Sequence, residues 1–507
     1  MNCFTGIDIG TYSSKGVIVD ANGKVLAFAQ RQHGIDTPRH GWAEHDPDSV
    51  WWDDFCVLSR ELIRSAQIRA SEIATVGVSA IAPCVVPVSE DGSPLRPAIL
   101  YGIDTRAVEE IEELNRSMGT ERIQRVSGTA LSAQSAGPKI LWIKNHEESI
   151  WRKTDKFLTA TSFIVQRLTG RAVIDNYTAA FFDPLFSIRT RSWDPEAARF
   201  ICGLSQLPES HWANEIAGTV IDAVAERTGF EPGTPVIVGT ADAASEAISA
   251  GVSQVGDAML MYGSSLFIIT LTSDISPNDV FWPAPFLYPG STALAAGMAT
   301  TGSITEWFRR NLSMEADFTT LAAEAATVIP GSEGLLMLPY FSGERTPIND
   351  PAARGVVAGL SLRHTRAHIY RAIMEGVAYG IRHNLERMSG TTAVPTRIFS
   401  VGGGTKNHEW LQIVSDVTGR AQVVCDTPGA CFGNAILAAN GSGLFRDRGK
   451  LFSWLPRGTR LEPNRENAAV YNEYYRLYLK LYKDTVETVH VLSGLAAAHE
   501  TGAADEL

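Results

Sequence analysis

Cysteine is scarce in this chain of 507 residues, and the cysteines that are present form no C-x-x-C pair. There are six: Cys3, Cys56, Cys84, Cys202, Cys425 and Cys431. They are too few and too scattered to hold a chain of this size together by disulfides, and their spacing matches neither a zinc site nor a redox motif. We therefore expect reduced, mostly buried thiols, as in a cytoplasmic protein.

Long apolar runs are also absent, and so is an excess of basic residues. No run approaches the roughly 20 apolar residues of a membrane-spanning helix, and the first residues lack the pattern of a secretion signal. With 44 basic and 56 acidic residues the formal net charge is −12, and no basic stripe would attract nucleic acid. As expectations, these absences exclude a membrane protein and a nucleic-acid partner.

The first informative segment, 6–16, lies between two apolar runs that predict strands at 4–9 and 16–20. It holds one carboxylate (Asp8), one lysine (Lys15), three glycines and four hydroxyl side chains. Glycines let backbone N–H groups approach phosphate oxygens, and an aspartate at a strand end can hold magnesium through its waters. The pattern predicts a phosphate-binding hairpin, with an ordinary glycine- and serine-rich turn as the alternative. It is not a Walker A loop.

A similar hairpin is predicted near the middle of the chain, at 258–269. Two apolar strands again flank a turn of glycine and hydroxyl residues, Gly263-Ser264-Ser265. Each copy begins a stretch of roughly two hundred residues or more, which is the length of a domain. The repeat, together with 45% hydrophobic and 20% charged residues, predicts two related α/β halves that grip nucleotide phosphates between their turns.

Asp242 lies at a predicted corner between a strand at 235–241 and a helix at 243–250. Its small neighbours leave room for a substrate hydroxyl, and the start of the helix should keep the carboxylate ionised at neutral pH, as a general base requires. The alternative is an aspartate that caps the helix. From these residues alone the cap is favoured.

A glycine-rich turn in the second half, Gly402-Gly403-Gly404, joins a predicted strand that begins at Phe399 to a helix through Trp410. Its glycines would let a purine or its ribose lie against the backbone, although such turns are also frequent in α/β proteins that bind nothing. Further on, 429–435 predicts a turn into a helix of small residues that packs closely.

These segments resemble the FGGY carbohydrate kinases of the actin-like ATPase superfamily, and the resemblance covers nearly the whole chain. The most specific match, similar to the family's second signature in full, is Gly355 to Leu360 followed after seven residues by His368 to Glu375. The first signature is matched in part, because Lys139 to His146 fits it whereas Gln134 and Ala136 differ. The other matching segments are Gly6-Ile7-Asp8-Ile9-Gly10-Thr11, Gly41-Trp42-Ala43-Glu44, Gly239-Thr240-Ala241-Asp242 and Gly402-Gly403-Gly404.

The resemblance implies ATP-dependent phosphorylation of a sugar or polyol hydroxyl by an α/β fold of two ribonuclease-H-like domains around a central cleft. An N-terminal domain, 1–253, would carry the sugar site and the first phosphate hairpin. A C-terminal domain, 254–495, would bind the nucleotide, and a loose tail, 496–507, would follow. ATP and Mg²⁺ would be the cofactors, the sugar and ATP would be the small-molecule partners, and a homodimer is left open.

The family pattern also implies roles for individual residues. Asp242 would be the catalytic base, which shifts the balance from cap to base. Asp8 would organise magnesium. The other implied nucleotide contacts are Thr11, Ser13, Lys15 and Ser264 at the phosphates, Gly302 and Glu306 beside the nucleotide, and Gly403 and Asn407 at the adenosine. For Glu306, a solvated helix residue is the alternative.

The sugar is less well defined than the reaction. The family's xylulokinase branch has Met-His-Gly where this sequence has Ala82-Pro83-Cys84, so Ala82 and Pro83 predict a less polar pocket. The remaining candidates for hydroxyl contacts are Asp104, Arg106 and Gln134, each with a structural role as the alternative. We expect a ketopentose such as D-xylulose, with a deoxy sugar or another polyol as the alternative.

Two other classes of protein on the same fold are disfavoured. A chaperone-like ATP-driven clamp would need a peptide-binding domain, whereas beyond about residue 457 the sequence predicts only a polar link, a helix at 467–491 and the tail. A catalytically silent sugar sensor would not need both Asp8 and Asp242, which are present.

Overall fold

The computed structural model describes residues 2–275, 278, 280–314, 316–391, 394–445, 452–455 and 458–500. Within these residues no helix is long and apolar enough to cross a membrane. The predicted tail, 496–507, lies outside the described residues from 501 onward.

The chain divides into two compact units, and neither is continuous in sequence. The first consists of Met1–Ser253, Leu271–Ala293 and Thr427–Pro456, and the second of Gln254–Thr270, Leu294–Asp426 and Arg457–Leu507. The predicted domains, 1–253 and 254–495, were drawn as continuous ranges, and their bounds stay a prediction.

The strands are β1 (Cys3–Ile9), β2 (Ser13–Asp20), β3 (Val25–Gln32), β4 (Glu44–His45), β5 (Ile73–Ala80), β6 (Val86–Val88), β7 (Ala98–Ile99), β8 (Lys156–Leu158), β9 (Val173–Asp175), β10 (Phe186–Ser187), β11 (Ser192–Trp193), β12 (Glu209–His211), β13 (Ile216–Thr219), β14 (Pro235–Ile237), β15 (Thr240–Ala241), β16 (Asp257–Tyr262), β17 (Leu266–Thr272), β18 (Trp282–Pro285), β19 (Thr292–Met298), β20 (Leu336–Leu338), β21 (Val356–Ala358), β22 (Arg397–Val401), β23 (Gln422–Val424) and β24 (Thr459–Leu461). The strand predicted at 235–241 is therefore two short strands, β14 and β15.

The α-helices are α1 (Asp53–Ala66), α2 (Val108–Met118), α3 (Thr120–Ser127), α4 (Ala136–His146), α5 (Glu148–Trp151), α6 (Ala160–Thr169), α7 (Asn176–Ala179), α8 (Pro195–Ile201), α9 (Asp222–Thr228), α10 (Asp242–Ala250), α11 (Gly302–Leu312), α12 (Phe318–Ala326), α13 (Arg366–Ser389), α14 (His408–Thr418), α15 (Ala430–Gly441) and α16 (Ala468–Glu500). The helix predicted at 467–491 is confirmed as the larger part of α16.

The main sheet of the first unit has the strand order β13-β14-β5-β1-β2-β3. β1 pairs antiparallel with β2 and β2 with β3, whereas β5 runs parallel to β1 and β14 parallel to β5. Every residue of β1 is buried, as expected for a strand that is covered on both faces. The first predicted hairpin is confirmed, and its second strand begins at Ser13 rather than at residue 16.

Six strands of the second large sheet repeat this plan, in the order β24-β23-β22-β16-β17-β19. β16 pairs antiparallel with β17, and β22 and β23 follow in parallel. The outer strand is antiparallel to its neighbour in both sheets, β24 to β23 in the second and β13 to β14 in the first. The repeat that the two hairpins predicted therefore extends through both sheets.

The helix of small residues, α15, packs closely against β1 and α10 within the first unit. A Cβ atom on Gly6 would lie 1.9 Å from the carbonyl oxygen of Cys431, and one on Gly433 would lie 2.0 Å from that of Ser245. No side chain fits at such distances, because the facing atoms are backbone and cannot move independently. The predicted close packing is confirmed, and α15 holds β1 and α10 in a fixed arrangement.

Candidate active site

The turn between β1 and β2 is tight and carries one of the predicted phosphate contacts, Thr11. The N–H of Gly10 donates to the carbonyl oxygen of Ser13 over 3.0 Å, and Thr11 Oγ1 lies 3.0 Å from the hydroxyl of Tyr101. Ser13 and Lys15 lie in β2 rather than in the turn, because β2 continues its pairing with β3 up to Ser13. Lys15 is directly opposite Asp8 in the hairpin.

Asp8 is buried near the carboxyl end of β1, and a hydrogen bond fixes its carboxylate. The hydroxyl of Ser79 donates to Asp8 Oδ1 over 2.6 Å. Ser79 Oγ in turn accepts a hydrogen bond from Asn434 Nδ2 over 2.7 Å, and Asn434 Oδ1 accepts one from Ser245 over 2.8 Å. The helices α15 and α10 therefore help to orient the carboxylate of Asp8.

The strand pairing of the first sheet brings Asp8 and Asp242 to the same edge of that sheet. In the parallel pairing of β5 with β1, Ser79 is opposite Asp8, and in its pairing with β15, Ser79 is opposite Thr240. Asp242 follows β15 directly as the first residue of α10. Because the carboxyl ends of parallel strands meet at one edge of a sheet, the two aspartates share that edge. Ala82 and Pro83 follow the end of β5 at this edge as well.

Asp242 lies at the predicted corner between strand and helix, but it does not cap the helix. The capping position belongs to Ala241, and Asp242 Oδ1 accepts the N–H of Ala243 over 2.7 Å. The expectation that the helix start keeps this carboxylate ionised at neutral pH is wrong. Burial raises the pKa of Asp242 well above its ordinary value, and the charges of Asp8 and Glu246 raise it further.

Asp104 and Arg106, predicted as hydroxyl contacts, bind each other. The guanidinium of Arg106 donates to both carboxylate oxygens of Asp104, with NH2 2.7 Å from Oδ2, and both side chains are fully buried. Asp104 also accepts the N–H of Ala43, and Arg106 stacks on Trp42 at 3.8 Å from the ring centroid. These contacts supply the structural role, and contact with a sugar stays a prediction for both residues.

Gln134, the third predicted hydroxyl contact, accepts a hydrogen bond through its side-chain oxygen. The donor is the N–H of Gly102, 3.0 Å away. The side chain of Gln134 also lines a small recess of the first unit, together with Ser132 and Asp183. A role toward the sugar stays a prediction here too.

A cavity of about 760 Å³ opens in the second unit, a size that suits a nucleotide. Its wall is formed partly by the alanines of α12 and by the rings of Phe318, Tyr370 and Trp410. All the predicted nucleotide contacts of this unit line it: Ser264, Gly302, Glu306, Gly403 and Asn407. The structure therefore brings together predicted contacts from three separate parts of the chain.

Two glycines of this cavity differ in what surrounds them. A Cβ atom on Gly302 would lie 2.5 Å from the carbonyl oxygen of Gly263, so the close packing of α11 on the hairpin turn requires this glycine. The carbonyl oxygen of Ser264 accepts the N–H groups of Thr301 and Ser303 at the start of α11. By contrast, a Cβ atom on Gly403 would meet no protein atom within 4 Å.

Glu306 and Asn407 line the cavity and also have partners within the protein. Glu306 accepts hydrogen bonds from Arg309 at 2.8 Å and from Arg310 at 2.5 Å, and the first of these is the main cause that lowers its pKa to about 2. Asn407 Oδ1 caps α14 by accepting the N–H of Trp410 over 3.1 Å. Contact of either side chain with a nucleotide stays a prediction.

Two family models match the chain over most of its length. The model of the N-terminal domain of the FGGY family of carbohydrate kinases matches residues 3–249, and that of the C-terminal domain matches residues 258–441. The chain belongs to the FGGY family of carbohydrate kinases. The predicted family is therefore confirmed, and with it the predicted activity of a sugar phosphotransferase.

Individual members of the FGGY family match this kinase over most of its length. The xylulose kinase of Bacillus subtilis (strain 168) is 29% identical over 495 residues, which cover 96% of this chain and 97% of that one. A glycerol kinase of Nocardia farcinica (strain IFM 10152) is 30% identical over 429 residues, covering 81% and 84%. The crystal structure of a xylulose kinase from Rhodospirillum rubrum has a TM-score of 0.90 at 30% identity, covering 96% of this chain and all of that one. These matches confirm the predicted class of two ribonuclease-H-like domains.

Sequence reasoning missed a third carboxylate of this FGGY kinase, Glu246. It lies one helical turn after Asp242 on the same side of α10, and the spacing of four residues was the available signal. Burial raises the pKa of Glu246 to about 7, and the charge of Asp8 adds to the effect, whereas Lys15 opposes it. Burial likewise raises the pKa of Asp8, so all three carboxylates hold their protons up to a higher pH than exposed carboxylates do.

Asp8 is the predicted magnesium ligand of this kinase, and this role stays a prediction. Among the described residues, no group of three or more side chains is arranged to hold a metal ion by itself. Mg²⁺ keeps several waters and takes few protein ligands, so one fixed carboxylate such as Asp8 is enough when phosphate oxygens complete the shell. Burial is the main cause that raises the pKa values of Asp8, Asp242 and Glu246, and a bound cation would oppose this shift.

Proposed function

We propose that the protein transfers the γ-phosphoryl group of ATP to a hydroxyl of a small sugar, and that the sugar is a ketopentose such as D-xylulose. The observation that carries the proposal is the position of Asp242. It is a half-buried carboxylate that shares one edge of the sheet with Asp8, beside the turn of the first hairpin. In phosphoryl transfer the protein chiefly positions the reactants and neutralises charge, so one base and a set of phosphate contacts suffice.

Asp242 is the proposed base for the attacking hydroxyl. The N–H of Ala243 holds one carboxylate oxygen, and the other oxygen would take the proton as the sugar oxygen attacks phosphorus. A carboxylate whose pKa is raised by burial is a stronger base than an exposed one, and it works best near its own pKa.

Thr11, Ser13 and Lys15 are the proposed phosphate contacts of the first unit, and Ser264 is the proposed phosphate contact of the second unit. Asp8 would hold Mg²⁺ through its waters, and the bound ion would supply charge neutralisation on the phosphate oxygens. The chain's own contribution is orientation, because Asp8 is fixed by Ser79 before any ligand arrives.

The cavity of the second unit is the proposed adenosine site. Its apolar wall suits a purine, and the space beside Gly403, where a Cβ atom would meet no protein atom within 4 Å, leaves room for the ligand. We place the adenosine between Gly403 and Asn407 on one side and α12 on the other.

The choice of sugar rests on the relatives and on two residues. Xylulose kinases match the chain over nearly its full length, which supports a ketopentose. Ala82 and Pro83, at the same sheet edge as the base, offer no side-chain hydrogen bond, and this favours a deoxy sugar or another polyol as the second candidate. Because the proposed reaction uses ATP and a small sugar, we place the protein in the cytoplasm.

A coupled ADP-release assay tests the proposal. The panel contains ketopentoses, deoxyketoses, tetritols, pentitols, hexoses and glycerol, and the Asp242→Asn variant is the blank. We expect robust turnover on D-xylulose. Turnover on a deoxy sugar or a polyol alone would select the second candidate, and no turnover on any compound would refute the proposed reaction for this panel.

We expect Gly403→Ala to raise the KM for ATP about tenfold, because its methyl group would enter the space proposed for adenosine. The free energy of unfolding should stay at the wild-type value, since no protein atom lies within 4 Å of that methyl group. Gly494→Ala is the matched control, because its Cβ also meets no atom and it lies in α16, away from the cavity. A wild-type KM for ATP in Gly403→Ala would count against adenosine at this position.

A further inference from the structure

His33, a residue outside the predicted site, forms hydrogen bonds with two carbonyl groups of the first hairpin turn. His33 Nε2 lies 3.0 Å from the carbonyl oxygen of Gly10. The backbone N–H of His33 donates to the carbonyl oxygen of Tyr12 over 3.0 Å. His33 follows β3 directly, so the third strand of the sheet carries it to the turn, where its side chain is 7% exposed.

The second ring nitrogen of His33 binds a carboxylate. Its Nδ1 lies 2.9 Å from Oδ2 of Asp54, a buried residue of α1. Asp54 also accepts from the hydroxyl of Ser14 over 2.6 Å, and Arg31 Nε lies 3.1 Å from its other oxygen. Asp54 is therefore the common acceptor for three donors.

These contacts determine the protonation state of His33. A neutral imidazole carries a single N–H, and here both ring nitrogens face acceptors, a carboxylate and a carbonyl. Only the doubly protonated ring donates to both of them. These two distances therefore favour the doubly protonated, positively charged ring directly behind the turn.

The other titratable groups around His33 do not compete for this charge. The ring of His45 meets that of His33 edge to face at 5.2 Å, and burial lowers the pKa of His45 to about 4, so His45 is neutral at pH 7. The charged groups on this side are Asp54 and, beyond it, Arg31, which is also paired with Asp53 at 2.8 Å.

The contacts of His33 also determine where the N–H groups of the turn point. In a trans peptide unit the C=O and the following N–H point in opposite directions. When His33 holds the carbonyl groups of Gly10 and Tyr12, the N–H groups of Thr11 and Ser13 are directed away from it. Backbone N–H groups aimed in this way form a site for an anion.

We propose that His33 is a positioning residue for the nucleotide phosphates. It links the turn at Gly10–Ser13 to Asp54, and it thereby keeps the N–H groups of the turn directed at the anion. The proposal rests on the proposed function, because it takes the turn to be a phosphate contact. It adds a cation and a fixed backbone geometry that come from β3 and α1 rather than from the hairpin itself.

The test compares His33→Leu, which has no donor, with His33→Gln, which keeps an N–H for the Gly10 carbonyl but carries no charge. The readouts are kcat, the KM for ATP, the KM for the sugar and the calorimetric affinity for a nonhydrolysable ATP analogue. We expect His33→Leu to weaken nucleotide binding about tenfold and His33→Gln to weaken it less, with the KM for the sugar unchanged in both.

The split between the two KM values separates a positioning role from a merely structural one. A structural defect would change kcat and both KM values, whereas a positioning defect changes the KM for ATP and the affinity for the analogue. The exposed His40, replaced by glutamine, is the matched control and should keep the wild-type values.

Two results would overturn the proposal: wild-type affinity for the analogue in both His33 variants, or a KM for the sugar that changes as much as the KM for ATP. Failure of the proposed function is recognised separately, because the wild-type protein would then neither bind the analogue nor turn over any sugar. The Gln variant keeps the test decisive if the Leu variant does not fold.

Discussion

Replacing Asp242 with asparagine is expected to lower kcat by about 10²- to 10⁴-fold while leaving the affinity for ATP close to the wild-type value. Asparagine has the same shape, and its side-chain oxygen still accepts the N–H of Ala243. It cannot accept the proton of the sugar hydroxyl, so the loss falls on the chemical step. The measurement is single-turnover phosphoryl transfer, combined with calorimetric binding of a nonhydrolysable ATP analogue.

The control for this prediction is Asp222→Asn. Asp222 is likewise the first residue of a helix, α9, and is exposed, so this variant changes the same residue type at the same helix position. We expect wild-type kcat from it. Undiminished turnover in Asp242→Asn would refute the assignment of the base, whereas loss of ATP binding would show that the side chain is needed to maintain the fold.

The second large effect is expected for Asp8→Asn, and it has opposite signs for activity and stability. The kcat should fall about a hundredfold or more, because the fixed carboxylate that would orient Mg²⁺ is lost. The unliganded protein should become more stable, since its carboxylate is buried and its charge raises the pKa of both Asp242 and Glu246. A residue kept for function rather than for folding behaves in this way.

The pH dependence follows from the direction of these shifts. These carboxyl groups have a higher pKa in the folded state than in the unfolded state. Between the two pKa values the folded protein therefore binds protons that the unfolded chain has lost. The free energy of unfolding therefore falls as the pH rises from about 4, near the pKa of an unfolded carboxyl group, to about 8. The upper end lies just above the pKa of Glu246, which is about 7 in the folded protein. In Asp8→Asn this fall should be shallower, so that at pH 8 the free energy of unfolding exceeds that of the wild type by about 1–3 kcal/mol.

Urea unfolding of both proteins at several pH values, without Mg²⁺ or nucleotide, measures this difference. Asp20→Asn, at the other end of the same hairpin, controls for the loss of an aspartate from the hairpin and should keep wild-type kcat. If Asp8→Asn is less stable than the wild type at pH 8, the prediction is contradicted. The hydrogen bond from Ser79 would then stabilise the folded protein by more free energy than the burial of the carboxylate costs.

Several features of the site could be predicted from local patterns. Alternating small and hydroxyl residues between apolar runs predicted both hairpins, and the position of Asp242 at a corner followed from a strand that runs into a helix. The small residues of 429–435 predicted a closely packed helix, and Gly433 shows why, since a Cβ there would meet backbone at 2.0 Å. Each of these signals lies within about ten residues of sequence.

The protonation of Asp242 could not be predicted in the same way. The start of a helix favours a charged carboxylate, and sequence reasoning considered this effect alone. In the folded protein, burial and the charges of Asp8 and Glu246 outweigh it. Asp8 is more than two hundred residues away in sequence, and only the pairing of β5 with both β1 and β15 brings it near.

The amino-acid sequence by itself determined the repeated α/β plan, the two hairpin turns and the residue types that phosphoryl transfer requires, because these depend on periodicity and on turn chemistry along the chain. The tertiary structure decided the ionisation of the carboxylates, the mutual pairing of Asp104 with Arg106, and the attachment of His33 to the turn. These properties depend on distances between groups that are remote in sequence, and both Coulomb energy and desolvation are set by such distances.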